Sequence, residues 1–164
     1  MRLVLALVAA TLLLAAPRLH AQELGLAVGT TAPAAAVQTL DGRAANLSQW
    51  VGKVPVVIEF WASWCPNCKQ LEPQVEAAHR QFGSRVKFVG VAVSVNQSAE
   101  RVRRHLARNP MPLEMVYDHA GEATGAYDVP ATSYVVILDR TGKVVYTGLG
   151  GDQDLVGALR KAGL

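Results

Sequence analysis

Two cysteines are all that this 164-residue chain contains, and they stand only two residues apart, at positions 65 and 68. So small a number excludes a framework of several disulfides. Histidine is scarce as well. His20, His79, His105 and His119 offer no paired ligand spacing, so a structural zinc site, which wants four ligands, is not expected. Charge is thin: 18% of residues are charged and the net charge is +3, of which Arg2 and Arg18 near the N-terminus supply two. No nucleic-acid recognition motif is present, and no nucleic-acid partner is expected. The longest apolar run, Leu3 to Ala16, is 14 residues, against about 20 for a membrane-spanning helix. Internal repeats, low-complexity runs and a second domain are also missing. What remains is a 51% hydrophobic chain of single-domain size.

Residues 1–21 read as a secretory signal. Arg2 gives a positive start, the apolar run follows, Pro17 breaks it, and Leu19-His20-Ala21 offers a small residue at the cut. The expectation is cleavage before Gln22, export to the periplasm or another extracytoplasmic space, and a single domain over 22–164. An uncleaved membrane anchor is the alternative. In an oxidising compartment a lone, close pair of cysteines is better suited to cycling than to stapling.

The pair sits in Glu59-Phe60-Trp61-Ala62-Ser63-Trp64-Cys65-Pro66-Asn67-Cys68-Lys69. Val54 to Phe60 is continuous and β-branched, as expected of a strand buried on both faces. From Cys65, the apolar residues Leu71, Val75, Ala78 and Phe82 recur at helical spacing, with Pro73 inside and Gly83 as an expected C-terminal cap. Cys65 therefore falls at a strand-to-helix junction, where free backbone N–H groups and the helix dipole stabilise a thiolate.

The flanking chain alternates in the same way. Val37 to Leu40 with the turn Asp41-Gly42 predicts a short strand, and Asn46 to Trp50 a helical turn. Val86 to Val95 predicts a second buried strand, Ser98 to Asn109 a basic helix, and Leu113 to Tyr117 a third strand. Gly121 to Tyr127 predicts a short helix or loop. Ser133 to Leu138 and Val144 to Thr147 flank Asp139-Arg140-Thr141-Gly142 as a hairpin, and Asp152 to Ala162 predicts a closing helix with acids in its first turn. The sum is an α/β layer architecture with the site at the carboxyl end of a central strand.

The run Phe60 to Lys69, with Pro73 five residues beyond Cys68, resembles the active-site strand and helix of thioredoxin-fold proteins. Gly29-Thr30-Thr31-Ala32-Pro33, Leu40-Asp41-Gly42, Leu47-Ser48, Gly52-Lys53 and Ile137-Leu138-Asp139 with Gly142 and Gly148 resemble the exported TlpA-like (redoxin) branch. The resemblance covers nearly all of residues 25–164. It implies a thioredoxin-like fold, a central mixed β-sheet flanked by helices, with an N-terminal β extension and a central βα insertion. It also implies thiol–disulfide exchange, including a cytochrome c maturation-like role, with protein disulfide or dithiol clients and a membrane thiol donor or acceptor. No cofactor beyond the dithiol is implied, and a monomer is expected.

Cys65 is then the expected nucleophile, its thiolate held by the amides of Asn67 and Cys68, and Cys68 the more buried resolving thiol. Glu59, where the family often carries a buried carboxylate, becomes the proton acceptor for Cys68. Its alternative is a strand-end acid or an ion pair with Lys87. Trp64 and Pro66 are expected at the client-binding surface, whereas Trp61 is expected to serve the core. The family's cis-proline faces the dithiol. Here either Pro130, preceded by Val129, fills that place after an insertion, or Thr132-Ser133 does with Ser133 replacing the proline. Ser133 is preferred because it needs no insertion, and it is expected to leave a free N–H and space beside the sulfurs. Val129, Pro130, Thr132 and Ser133 are thus the further substrate-binding candidates. Arg101, Arg103, Arg104, His105 and Arg108 make one basic helix, read as a solvated face. A second functional reading is a copper(I)-handling or metallocentre-assembly protein that uses the two soft thiolates as ligands.

Overall fold

The computed structural model describes residues 25–164, so the expected signal segment lies outside the described residues. Seven strands make one sheet: β1 (Ala36–Thr39), β2 (Ala44–Asn46), β3 (Val56–Trp61), β4 (Lys87–Val93), β5 (Glu114–Asp118), β6 (Tyr134–Leu138) and β7 (Val144–Leu149). Their order is β2-β1-β5-β4-β3-β6-β7. The β-branched, largely apolar run becomes β3, buried at all six positions, Glu59 included. It runs parallel to β4 and antiparallel to β6. β5 continues the parallel set beside β4, while β1 and β2 extend the sheet antiparallel from it. The sheet is mixed, with the expected N-terminal β extension.

Four helices complete the layers: α1 (Pro66–Phe82), α2 (Ala99–Arg108), α3 (Glu122–Ala126) and α4 (Leu155–Lys161). Leu71, Val75, Ala78 and Phe82 of α1 bury one apolar stripe with Leu155 and Leu159 of α4 against Val57, Val135 and Ile137 of the sheet. The other face buries Ile58, Phe60, Val91, Val116, Tyr134 and Val136 with Val102 of α2. Each such side chain contributes about 1.5–3 kcal/mol on burial, so the sheet is anchored from both sides. Among the described residues no helix is long and apolar enough to cross a membrane.

Gly83 is the C-cap of α1, as expected, in a right-handed and not a left-handed conformation. Its φ is −60° and its N–H closes the last turn on His79 O at 2.8 Å. Glycine is needed there for space, because a Cβ would meet that carbonyl at 2.6 Å. The closing helix starts at Leu155, so neither Asp152 nor Asp154 lies in its first turn. Asp154 is instead the cap, its carboxylate accepting the Gly157 amide at 2.8 Å, a bond made from outside the helix. Pro73 lies inside α1 without ending it.

Asp118, at the end of β5, is buried and accepts the amides of Ala123 at 3.1 Å and Thr124 at 2.8 Å, together with the Thr124 hydroxyl. It fixes α3 to the sheet in the absence of a side-chain cap at Gly121. Asp118→Ala strands two amides and is expected to cost about 2–3 kcal/mol in urea unfolding. A change under about 0.5 kcal/mol would mean that this carboxylate contributes nothing net.

Candidate active site

β3 ends at Trp61, and the chain turns at once. Cys65 N–H bonds to Ala62 O at 3.1 Å, and Ser63 N–H to Gln97 Oε1 at 2.9 Å. The Gln97 amide donates back to Val93 O at 2.6 Å, tying this turn to the end of β4. Trp64 lies outside the core, 39% exposed, with its indole N–H bonded to Val95 O at 2.8 Å. The loop that carries the cysteines is therefore held by two side chains to the neighbouring strand end.

Cys65 is the N-cap of α1, and its sulfur accepts the Cys68 amide at 3.1 Å. Of the two amides expected at this sulfur, only that of Cys68 bonds to it. Pro66 occupies the first helical position, where its missing N–H costs nothing. Cys65 and Cys68 are joined as a disulfide with Cα atoms 5.3 Å apart, and both are buried, Cys68 slightly more so.

Glu59 lies on β3 between Gly90 and Val135 of the flanking strands and is 1% exposed. Neither carboxylate oxygen has a hydrogen-bond partner. Burial pushes its carboxyl up to about 8, and repulsion from Glu72 adds to the rise. The ion pair with Lys87 does not form, because Lys87 pairs with Glu114 across β4 and β5. Trp61, two residues on, is buried as expected, and its indole N–H is also unpartnered. A side chain at Gly90 would meet the Met115 sulfur at 2.5 Å and Trp61 Nε1 at 3.1 Å, so glycine there makes room for both.

The hollow beside the disulfide is lined by Trp64, Cys65, Pro66 and Cys68 of the expected set. Val129, Pro130, Thr132 and Ser133 do not line it. No cis peptide occurs among the described residues, so Pro130 is not a cis-proline. Ser133 immediately precedes β6 and has φ +64°. Its N–H is not free for a client: it bonds to Phe60 O at 2.8 Å, while its hydroxyl accepts the Gly150 amide at 3.0 Å and its carbonyl accepts the Gln153 amide at 3.0 Å. Without a proline ring, that N–H closes the gap between β6 and β3.

Sequence reasoning missed the far wall, which comes from Lys69, Glu72, His105, Asn109 and Met111. Glu72 had a local signal, four residues after Cys68 and so on the same helix face. His105 had none: its ring stacks at 5.8 Å on Trp61, a residue 44 positions away. Among the described residues no group of three or more His, Cys, Asp or Glu side chains converges, so a copper(I) site here would rest on the two sulfurs alone.

A thioredoxin-like sheet with a Cys-x-x-Cys pair capping the helix that follows its central strand defines a thiol–disulfide oxidoreductase. The chain belongs to the Redoxin family, whose model matches residues 27–161. It is 28% identical over 162 residues to the thiol-disulfide oxidoreductase ResA of Geobacillus thermodenitrificans, covering 94% of this chain and 92% of that protein. It is also 28% identical to the thioredoxin-like protein YneN of Bacillus subtilis, over 75% and 72% of the two chains. A Chlorobium tepidum structure assigned as the thiol:disulfide interchange protein DsbE superposes with a TM-score of 0.71 at 27% identity, over 83% of this chain and 94% of that one.

Proposed function

We propose that this protein is exported, with residues 1–21 as its signal, and reduces disulfides in client proteins through Cys65 and Cys68. The observation that carries this reading is the pair at the head of α1 with the buried, unpartnered Glu59 on the strand that leads into it. Cys65 thiolate attacks one client sulfur and the other client sulfur leaves as thiolate. Cys68 then gives its proton to Glu59 and attacks the Cys65 sulfur, releasing the second client thiolate. Two electrons pass from the dithiol to the client, and the Cys65–Cys68 disulfide remains. A membrane thiol donor would return the electrons. Trp64 and Pro66 supply the apolar surface on which the client strand lies, and the protein acts as a monomer. No cofactor enters the cycle.

Export is supported by the apolar leader alone. Turnover of a protein disulfide by this protein, re-reduced by a small dithiol, tests the reading. Wild type is expected to accelerate reduction over the dithiol alone, and Cys65→Ser to return the rate to background. Equal rates for both proteins would end the proposal.

A further inference from the structure

We infer that clients dock on the α2 side of the disulfide, and that the cleft selects a polypeptide segment with acidic residues beside its cysteine. This deepens the reductase reading above and rests on it. The hollow next to Cys65 and Cys68 opens towards α2 and the loop after it, where His105, Asn109 and Met111 form the far wall. His105 and Asn109 are four residues apart, hence neighbours on one helix face. Arg101, four residues before His105, and Arg108, three after it, continue that face along its length. Both arginines are exposed, and neither takes part in an ion pair among the described residues. Arg108 Nε donates to Arg104 O at 3.2 Å, Arg104 is held by Glu100 at 2.9 Å and Arg103 by Leu40 O, so Arg101 alone of the four has no side-chain partner among the described residues.

The charge around the cleft is one-sided. Glu72 is the single carboxylate in its lining, and Lys69, from the same turn of α1, offsets it. Arg101 and Arg108 are not in that lining, but they share the helix face of His105 and Asn109 and add positive charge on the α2 side. The lining also carries an apolar surface at Trp64, fixed by its bond to Val95 O, with Val95 itself 58% exposed. An extended polypeptide fits this pairing, with an apolar side chain on Trp64 and Val95 and carboxylates towards α2. Ser133, on the Val129–Ser133 segment, offers a client no free backbone donor, because its N–H, hydroxyl and carbonyl are bonded within the fold.

Two disulfide-bonded peptides that differ only in flanking Asp or Lys residues test the inference, with a small uncharged disulfide measured in parallel. Reduced wild type is expected to reduce the acidic peptide about tenfold faster in kcat/KM at low salt than the basic one, a gap within the range of electrostatic steering. Raising the ionic strength from about 0.02 M to about 0.5 M should collapse the gap, since the Debye length shrinks from roughly 20 Å to a few ångströms. The double variant Arg101→Glu, Arg108→Glu should favour the basic peptide, whereas Arg140→Glu, in the distant Asp139–Gly142 turn, should keep the wild-type preference. Equal rates for the two peptides in wild type, or a preference unaltered by the double variant, would overturn the docking inference. Failure to reduce even the uncharged disulfide would instead overturn the reductase reading beneath it.

Discussion

Cys68→Ser is expected to halt the reaction at the mixed disulfide, with the client covalently held on Cys65. Two thiols fixed one helical turn apart react with effective concentrations of about 10⁵ M or more, which no external thiol matches. Loss of the second thiol should therefore slow client release on the order of 10³-fold while leaving the first attack fast. Mass spectrometry under non-reducing conditions reads the adduct directly. Cys65→Ser should give none, because Cys68 lies deeper and its amide is spent on the Cys65 position. Equal trapping by both variants would reverse the assigned roles, and trapping by neither would remove the exchange mechanism.

Glu59→Gln carries the second large effect, and it acts on both rate and stability. With the carboxyl raised to about 8, roughly one Glu59 in ten is ionised at pH 7. If it receives the Cys68 proton, the resolving step of a preformed mixed disulfide should rise about tenfold per pH unit up to about pH 8. Glutamine should remove that dependence and slow the step about 100-fold at pH 8. Attack by Cys65 on an alkylating agent should stay almost unchanged.

Stability follows from the same burial. The folded protein keeps the Glu59 proton up to about pH 8, whereas the unfolded chain loses it above about 4.5. The unfolded state therefore binds fewer protons across this window, and the Glu59 contribution is most favourable below about pH 4.5. It falls by about 1.4 kcal/mol for each pH unit up to about 8. The gap between Glu59→Gln and wild type in urea unfolding of the oxidised protein should widen in favour of the variant as the pH rises from 5 to 8. Parallel stability curves would show that the carboxyl is not held neutral by burial.

The site divides sharply into what local sequence could reveal and what it could not. The Val54–Phe60 run, the close cysteines and the helical spacing of Leu71, Val75, Ala78 and Phe82 are all local, and each forms the element it predicts. Glu59 stood out as a carboxylate in an otherwise apolar run, with a strand-end acid or an ion pair with Lys87 as its alternative. The reading of Ser133 as an open donor failed for a tertiary reason: Phe60 of β3 and Gly150 and Gln153 of the loop after β7, from two other segments, consume its polar groups. The α2 wall was unreadable in the same way. Its basic residues look like a solvated face in one dimension, and only the packing of His105 on Trp61 turns that helix towards the sulfurs.

The equilibrium of the Cys65–Cys68 pair against defined thiol–disulfide buffers, read by thiol trapping and intact mass in metal-free solution, tests the central claim most directly. Dithiols on thioredoxin-like scaffolds span about −270 to −120 mV. The account predicts a single two-electron transition with its midpoint towards the reducing end of that range, shared by both cysteines. A midpoint at the oxidising end would contradict the reductase direction, and a pair that does not interconvert anywhere in the range would contradict exchange chemistry itself.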